Sequence, residues 1–248
     1  HDQVALITGA AGALGSMAAR TFARAGARLV LIDLDPVRLE ERAQTLRTET
    51  GTDVLACAAN VTDPVAIGNV VAMAVKAFGS VSVLLNNAGA PMSKTLMESS
   101  PDDWRRVFEG NVIGTMVPTR ACAEVMMKQR YGRIINVSSI TARTSVPQRC
   151  AYGATKAAVS NMTQSFAIEL GPHGINVNAI APSAVVTDMN RDLLVSQPHI
   201  YRDMMEHTPV GRMCEADDLA GILTLLASPA AAVITAQTIF IDGGFSAM

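Results

Sequence analysis

The sequence predicts a doubly wound α/β fold built on a seven-stranded parallel sheet with helices on both faces. Three observations carry that expectation. Short apolar runs alternate with longer amphipathic segments along the whole chain, the runs are apolar enough to be covered on both sides, and a glycine-rich turn joins the first run to the first amphipathic segment. Parallel strands need crossover connections, and helices supply them.

The strands are expected at Val4 to Thr8, Arg28 to Ile32, Asp53 to Ala58, Ser82 to Leu85, Arg133 to Val137, Asn176 to Ile180 and Thr238 to Ile241. Between them the helical segments are Leu14 to Ala25, Pro36 to Thr48, Pro64 to Phe78, Trp104 to Gln129, Ala151 to Leu170 and Glu215 to Ala227. Thr187 to Pro209 breaks the alternation with Met, Arg, His and two prolines, and reads as a lid over the carboxyl edge of the sheet. In such sheets ligands bind beyond the carboxyl ends of the strands, so functional residues are expected just after strands.

The chain of 248 residues contains no Pro/Gly/Ser-rich or charged linker, and one domain spanning 1–248 is expected. Hydrophobic residues make up 49% and charged residues only 17%, which excludes a disordered or fibrous chain. A formal charge of −2 without a basic block argues against nucleic acid as a partner. Cys57, Cys122, Cys150 and Cys214 lack C-x-x-C spacing, which argues against zinc or a disulfide framework and for a reducing, cytoplasmic setting. No apolar run reaches the length of a membrane span, and no secretion leader is legible in His1-Asp2-Gln3. The absent initiator Met suggests a trimmed end. The sequons at Asn60 and Asn136 abut expected strands and are read as coincidental.

Tyr152 and Lys156 stand four residues apart, one helical turn, with Ser139 thirteen positions before the tyrosine. An ammonium beside a phenol favours the phenolate, and such a tyrosine is suited to taking an alcohol's proton. The same spacing also describes an ordinary solvated pair, so the rest of the chain has to supply the context. Thr8-Gly-Ala-Ala-Gly-Ala-Leu-Gly15 follows the first strand and opens a helix, a turn that lets backbone N–H groups approach a pyrophosphate. Asp33 closes the second strand, where a carboxylate accepts ribose hydroxyls and repels a 2′-phosphate. With Leu34 rather than Arg next in line, NAD is favoured over NADP, and Asp35 is the competing assignment.

Together Thr8-Gly-Ala-Ala-Gly-Ala-Leu-Gly15, Asn86-Asn-Ala-Gly89, Asn111, Ser139 and Tyr152-x-x-x-Lys156 resemble the short-chain dehydrogenase/reductase family over nearly the whole chain. The resemblance implies that Tyr152 is the acid/base, that Lys156 lowers its pKa and binds the nicotinamide ribose, that Ser139 bonds the substrate oxygen, and that Asn111 holds a relay water. It further implies cofactor contacts from Gly9, Gly12, Leu14, Gly15, Asp33, Asn60, Val61, Asn87, Ala88, Gly89, Pro182, Val185 and Thr187. Two departures stand out: Ala13 replaces the family's second turn glycine, with Gly12 one place earlier, and Ser183 replaces the glycine after Pro182.

The activity implied is NAD-dependent oxidation or reduction of a small secondary alcohol or ketone: a polyol, sugar, hydroxy acid or hydroxysulfonate. An NADPH-dependent 3-oxoacyl thioester reductase is the rival enzyme, and a non-catalytic NAD-binding sensor or scaffold the rival class. Metal-dependent hydrolysis finds no H-x-x-x-H pair among four histidines, and Ser139 lacks a G-x-S-x-G elbow. Thr141 and Arg149 are the substrate-contact candidates. Arg149 is suited to an anionic group, while an exposed or subunit-contact role for Arg143 or Arg149 accounts for them equally well. The family's habit of tetramer formation implies a homotetramer through the long helices, which core packing alone also explains.

Overall fold

The computed structural model describes residues 3–186 and 205–248. Seven strands, β1 (Val4–Thr8), β2 (Arg28–Asp33), β3 (Val54–Ala58), β4 (Val83–Asn86), β5 (Gly132–Val137), β6 (Ile175–Pro182) and β9 (Thr238–Ile241), form one parallel sheet in the order β3-β2-β1-β4-β5-β6-β9. The order reverses between β1 and β4, so the carboxyl ends of these neighbours open the crevice in which a ligand is expected. Two short strands, β7 (Val185–Val186) and β8 (Cys214–Glu215), pair apart from this sheet and have no counterpart in the sequence reading.

Side chains alternate across the strands and build two cores. Ala5, Ile7, Leu29 and Leu31 face α1 (Ala13–Arg24), α2 (Pro36–Thr50) and α7 (Ala220–Ala227), burying Met17, Phe22, Leu39, Leu46 and Leu223. Val4, Leu6, Val30 and Ile32 face α3 (Pro64–Phe78), α5 (Gly114–Gln129) and α6 (Cys150–Leu170), where Ile67, Val70, Cys122, Met126 and Ala167 lie. Truncating a fully buried side chain such as Ile67 or Leu84 to Ala costs about 2–5 kcal/mol.

Local signals set the helix ends. Asp35 and Asp63 accept the first free N–H groups of α2 and α3, each followed by proline, and Gly51 and Gly79 close them at φ 67° and 82°. The expected bounds of α3, β1 and β9 are met to the residue, and the other strands shift by one or two positions at their ends.

Trp104 to Gln129 is not one helix. The chain forms α4 (Pro101–Phe108), a π-helical turn at Glu109–Ile113, and then α5. Close packing explains the break: a Cβ on Gly110 would lie 3.0 Å from Ala90 Cβ, and one on Gly114 would lie 2.8 Å from Val61 Cγ2. Glu215 to Ala227 likewise begins in β8 and passes through a 3₁₀ turn, Ala216–Leu219, before α7. Residues 187–204 of the expected lid lie outside the described residues. Its far end meets the C-terminal segment, with Val210 N donating to Gly243 O at 3.1 Å and the His207 ring 6.5 Å from that of Phe245.

Candidate active site

Ser139 follows β5 and Tyr152 lies in the first turn of α6, so the sheet edge and one helix bring them together. Both side chains line a cavity of about 200 Å³ with Leu14, Val137, Ser138, Pro182, Ser183 and Val185. Five sequence-predicted residues, Leu14, Ser139, Tyr152, Pro182 and Val185, thus share one space. The Tyr152 ring packs against a small cluster of Met92, Val107 and Ala151, with Trp104 beside it.

Lys156 is buried one turn along α6. Its Nζ lies 5.5 Å from the centre of the Tyr152 ring and donates to Val137 O at 2.8 Å, and burial lowers its pKa to about 8. The expected lowering of the phenol's pKa is reversed: Tyr152 is held above the ordinary tyrosine value. Burial outweighs the two influences that favour the phenolate, the Arg149 charge and the neighbouring Ser139 hydroxyl.

Asn111 sits in the π-helical turn, a distortion often found at functional sites. Its Oδ1 accepts from Ala90 N at 2.6 Å, while Nδ2 donates to Ala90 O at 3.2 Å and to Thr155 Oγ1 at 2.9 Å. Thr155 Oγ1 in turn donates to Tyr152 O at 2.7 Å. Thr155 was missed because its residue type carries no chemistry of its own, and only the fold places it between two site residues.

At the other end of the crevice, Thr8 Oγ1 accepts from the backbone N–H groups of Asn87 and Ala88, and Asn87 Nδ2 donates to the carbonyls of Thr8 and Gly9, each at 3.0 Å. These bonds lock the glycine turn to the end of β4. Asn87 therefore spends its amide on the turn. Gly9, at φ 64°, and Gly15 are compelled, because a Cβ on either would run into neighbouring backbone. Gly12 is not, since its Cβ would stand 3.4 Å from the nearest atom, Gly9 O. Gly89 packs against Asn111, where a Cβ would lie 2.8 Å from Oδ1.

The donor set suits a dinucleotide. Unlike α2 and α3, α1 begins on Gly12 with no side-chain cap, which leaves first-turn N–H groups and the helix dipole for a phosphate. Asp33 Oδ2 accepts from Ala11 N at 2.9 Å and Oδ1 from Leu34 N at 2.7 Å, so the carboxylate is fixed beside the turn. The competing Asp35 is committed to capping α2. Asn60 is exposed and Val61 half-buried after β3, and Thr187 falls outside the described residues.

A wider cleft of about 680 Å³ runs beside the turn from Ala11, Ala13 and Ser16 to Glu215 and Asp217. Arg20, Arg24, Arg38 and Arg42 line it, and Arg20 pairs with Glu49 at 3.2 Å. Sequence reading missed this group because α1 and α2 contribute the arginines separately. Thr141 does not line the smaller cavity; its N–H donates to Ser139 Oγ at 3.2 Å and its carbonyl faces Gly153. Arg149 stands on the Tyr152 ring at 5.9 Å, outside that cavity's lining, with Nη1 donating to Met92 O at 2.9 Å.

The family model described as enoyl-(acyl carrier protein) reductase matches residues 9–246. The chain is 33% identical over 244 residues to the 3-oxoacyl-[acyl-carrier-protein] reductase FabG of Escherichia coli (strain K12), covering 98% of this chain and 97% of that protein. It belongs to the short-chain dehydrogenase/reductase family. The L-rhamnose 1-dehydrogenase (NAD(P)(+)) of Azotobacter vinelandii (strain DJ / ATCC BAA-1303) is 36% identical over 247 residues, covering 98% of this chain and 96% of that protein. The gluconate 5-dehydrogenase of Burkholderia cenocepacia J2315, solved with NADP and tartrate, superposes with a TM-score of 0.93 at 30% identity, covering 99% of this chain and 96% of that one. The chain is therefore an oxidoreductase of alcohol and ketone groups from a family that binds nicotinamide cofactors. Among the described residues, no helix is long and apolar enough to cross a membrane.

Proposed function

We propose that this member uses NAD to oxidise a small secondary alcohol, or reduce the matching ketone, with Tyr152 as the acid/base. The substrate belongs among polyols, sugars, hydroxy acids and hydroxysulfonates. The observation that carries the reading is the single cavity that Ser139 and Tyr152 line together, with the buried Lys156 ammonium 5.5 Å from the Tyr152 ring.

The cofactor is held by Gly9, Gly12, Leu14 and Gly15 at the pyrophosphate, and by Asp33, Asn60, Val61, Asn87, Ala88 and Gly89 toward adenosine. Pro182, Val185, Thr187, Tyr152 and Lys156 hold its nicotinamide end. When bound, it supplies the two-electron acceptor or donor for the substrate carbon. Tyr152 Oη takes the hydroxyl proton in oxidation and returns it in reduction, and Ser139 Oγ bonds the substrate oxygen as charge develops there. Lys156, tied to Val137 O, places its cation under the phenol, and Asn111 fixes the neighbouring backbone for a relay water. Residues 1–248 act as one Rossmann domain with a lid at about 187–209. The protein works in the cytoplasm as a homotetramer, without nucleic acid or membrane partners.

A second reading, an NADPH-dependent 3-oxoacyl thioester reductase, is favoured by the FabG relative and by the four arginines beside the glycine turn, which suit a 2′-phosphate. A non-catalytic NAD-binding sensor would retain binding without turnover. The test is the initial rate of reduced-cofactor formation at alkaline pH from polyols, sugars, hydroxy acids and hydroxysulfonates, with NAD and NADP in parallel, alongside oxoacyl thioester reduction. Turnover with NAD supports the first reading; activity confined to NADPH and thioesters replaces it with the second.

A further inference from the structure

Tyr152 stands beside two cations, and they are held differently. Lys156 is enclosed beneath the phenol. Arg149 is half-buried, and among the described residues the one hydrogen bond from its guanidinium runs to Met92 O. The segment that carries it is braced: Lys94 N donates to Gln148 O at 2.9 Å and Ser93 Oγ to Gln148 Oε1 at 3.1 Å, joining the loop after β4 to the loop before α6. Gln148 takes φ 62°, a left-handed conformation uncommon outside glycine, immediately before Arg149.

Among the described residues, charge balance around this rim is incomplete. Lys94 is neutralised by Asp103 at 2.8 Å, but Arg149 has no carboxylate partner among the described residues. A guanidinium carries five N–H donors, and drawing a cation partly out of water without a counter-ion is unfavourable. An anionic group on the ligand offsets that cost through charge-assisted, bidentate bonds, which a neutral polyol does not provide.

We infer that Arg149 is the specificity-determining residue of this site, receiving the carboxylate, sulfonate or phosphate of an alcohol or ketone whose oxygen meets Tyr152 and Ser139. The inference rests on the reading of Tyr152 as acid/base. It narrows the substrate class to anionic secondary alcohols and their ketones.

Substrate pairs that differ in charge and little in shape test it: 3-hydroxybutyrate against 3-hydroxybutyramide, and 2-hydroxypropane-1-sulfonate against its sulfonamide. Steady-state rates are measured with NAD and NADP for the wild type, Arg149→Met and Arg149→Lys. The wild type is expected to prefer the charged member of at least one pair, and Arg149→Met to raise that member's KM roughly 10- to 100-fold while the neutral member's KM moves less than about threefold. Arg149→Lys recovers part of the loss, and the responding pair distinguishes carboxylate from sulfonate. Equal KM changes within every pair, or a wild-type preference for the neutral members, overturn the inference.

If the wild type turns over no pair with either cofactor, the acid/base reading fails separately, and calorimetric titration with butyrate and propane-1-sulfonate decides for Arg149. Binding that Arg149→Met loses supports the role; no binding to the wild type, or equal binding to both, rejects it. Circular dichroism and melting temperature establish that each variant is folded.

Discussion

Asn111 and Tyr152 are coupled through Thr155: Asn111 Nδ2 donates to Thr155 Oγ1 at 2.9 Å, and that hydroxyl donates to the Tyr152 carbonyl at 2.7 Å. A π-helical turn and the first turn of α6 are thereby joined by one buried side chain. Thr155→Val keeps the shape but removes the hydroxyl's bonds to Asn111 Nδ2 and to the Tyr152 carbonyl, leaving Nδ2 only its bond to Ala90 O, at a cost of about 1 kcal/mol. Denaturant unfolding should register that loss, and kcat should fall with little change in cofactor Kd. Thr155→Ser should restore both; if it behaves as Thr155→Val does, the hydroxyl is not what couples the two elements.

Lys156 gives stability a pH dependence of defined sign. Its folded pKa of about 8 lies below the unfolded value, so between these pH values the unfolded chain holds more protons and stability rises with pH. The burial penalty is full below pH 8 and is relieved as the folded-state lysine deprotonates. Compared with Lys156→Met, the wild type should gain about 2 kcal/mol of unfolding free energy between pH 7 and pH 10. Urea denaturation of both proteins at those two values checks this, and parallel profiles would contradict it.

Activity should follow the phenol. Because burial raises the Tyr152 pKa, the phenolate needed for oxidation is lost as pH falls, and the oxidative rate should go on climbing into the alkaline range without levelling off near neutral pH. Arg149 and the Ser139 hydroxyl favour the phenolate, while Lys156 itself loses charge near pH 8. Removing the guanidinium in Arg149→Met should move the acid limb of the pH–rate profile with a neutral alcohol to higher pH. An unmoved limb would show that Arg149 does not act on Tyr152.

Asp33 tests the choice of dinucleotide. Asp33→Ser removes the carboxylate held by Ala11 N and Leu34 N, leaving the arginine-lined cleft beside it. The kcat/KM with NAD should fall roughly 10- to 100-fold and that with NADP should rise. Unchanged selectivity would place the choice of dinucleotide in other residues.

Much of the scaffold is legible in the sequence because its signals are local. Asp63-Pro64 and Gly79 bracket α3, and the strand and helix alternation is enough to call for a parallel sheet. What is not legible depends on contacts between distant segments. The π-helical turn at Asn111 needs Ala90 and Val61 pressed against Gly110 and Gly114, and no periodicity within Trp104–Gln129 announces it. Tyr152 and Lys156 were found by spacing, but the direction of the phenol's shift depends on burial, which spacing does not encode. Asp33 and Asp35 were ambiguous in sequence and separate in the structure, where one is bonded to the glycine turn and the other caps a helix. Gly12 and Ala13 mark the opposite case: the departure from the family turn is visible, yet only the backbone shows that Gly9 and Gly15 bear the steric constraint.

The central claim is that Tyr152 moves the substrate proton on a nicotinamide-dependent enzyme. Its most direct test compares reduced-cofactor formation by the wild type and Tyr152→Phe across the alcohol panel, with cofactor Kd measured on both. Turnover by the wild type, a loss of roughly 100-fold or more in the variant and an unchanged Kd are the predicted result. Equal turnover by both proteins, or cofactor binding by the wild type with no turnover of any alcohol, ketone or thioester, would contradict it.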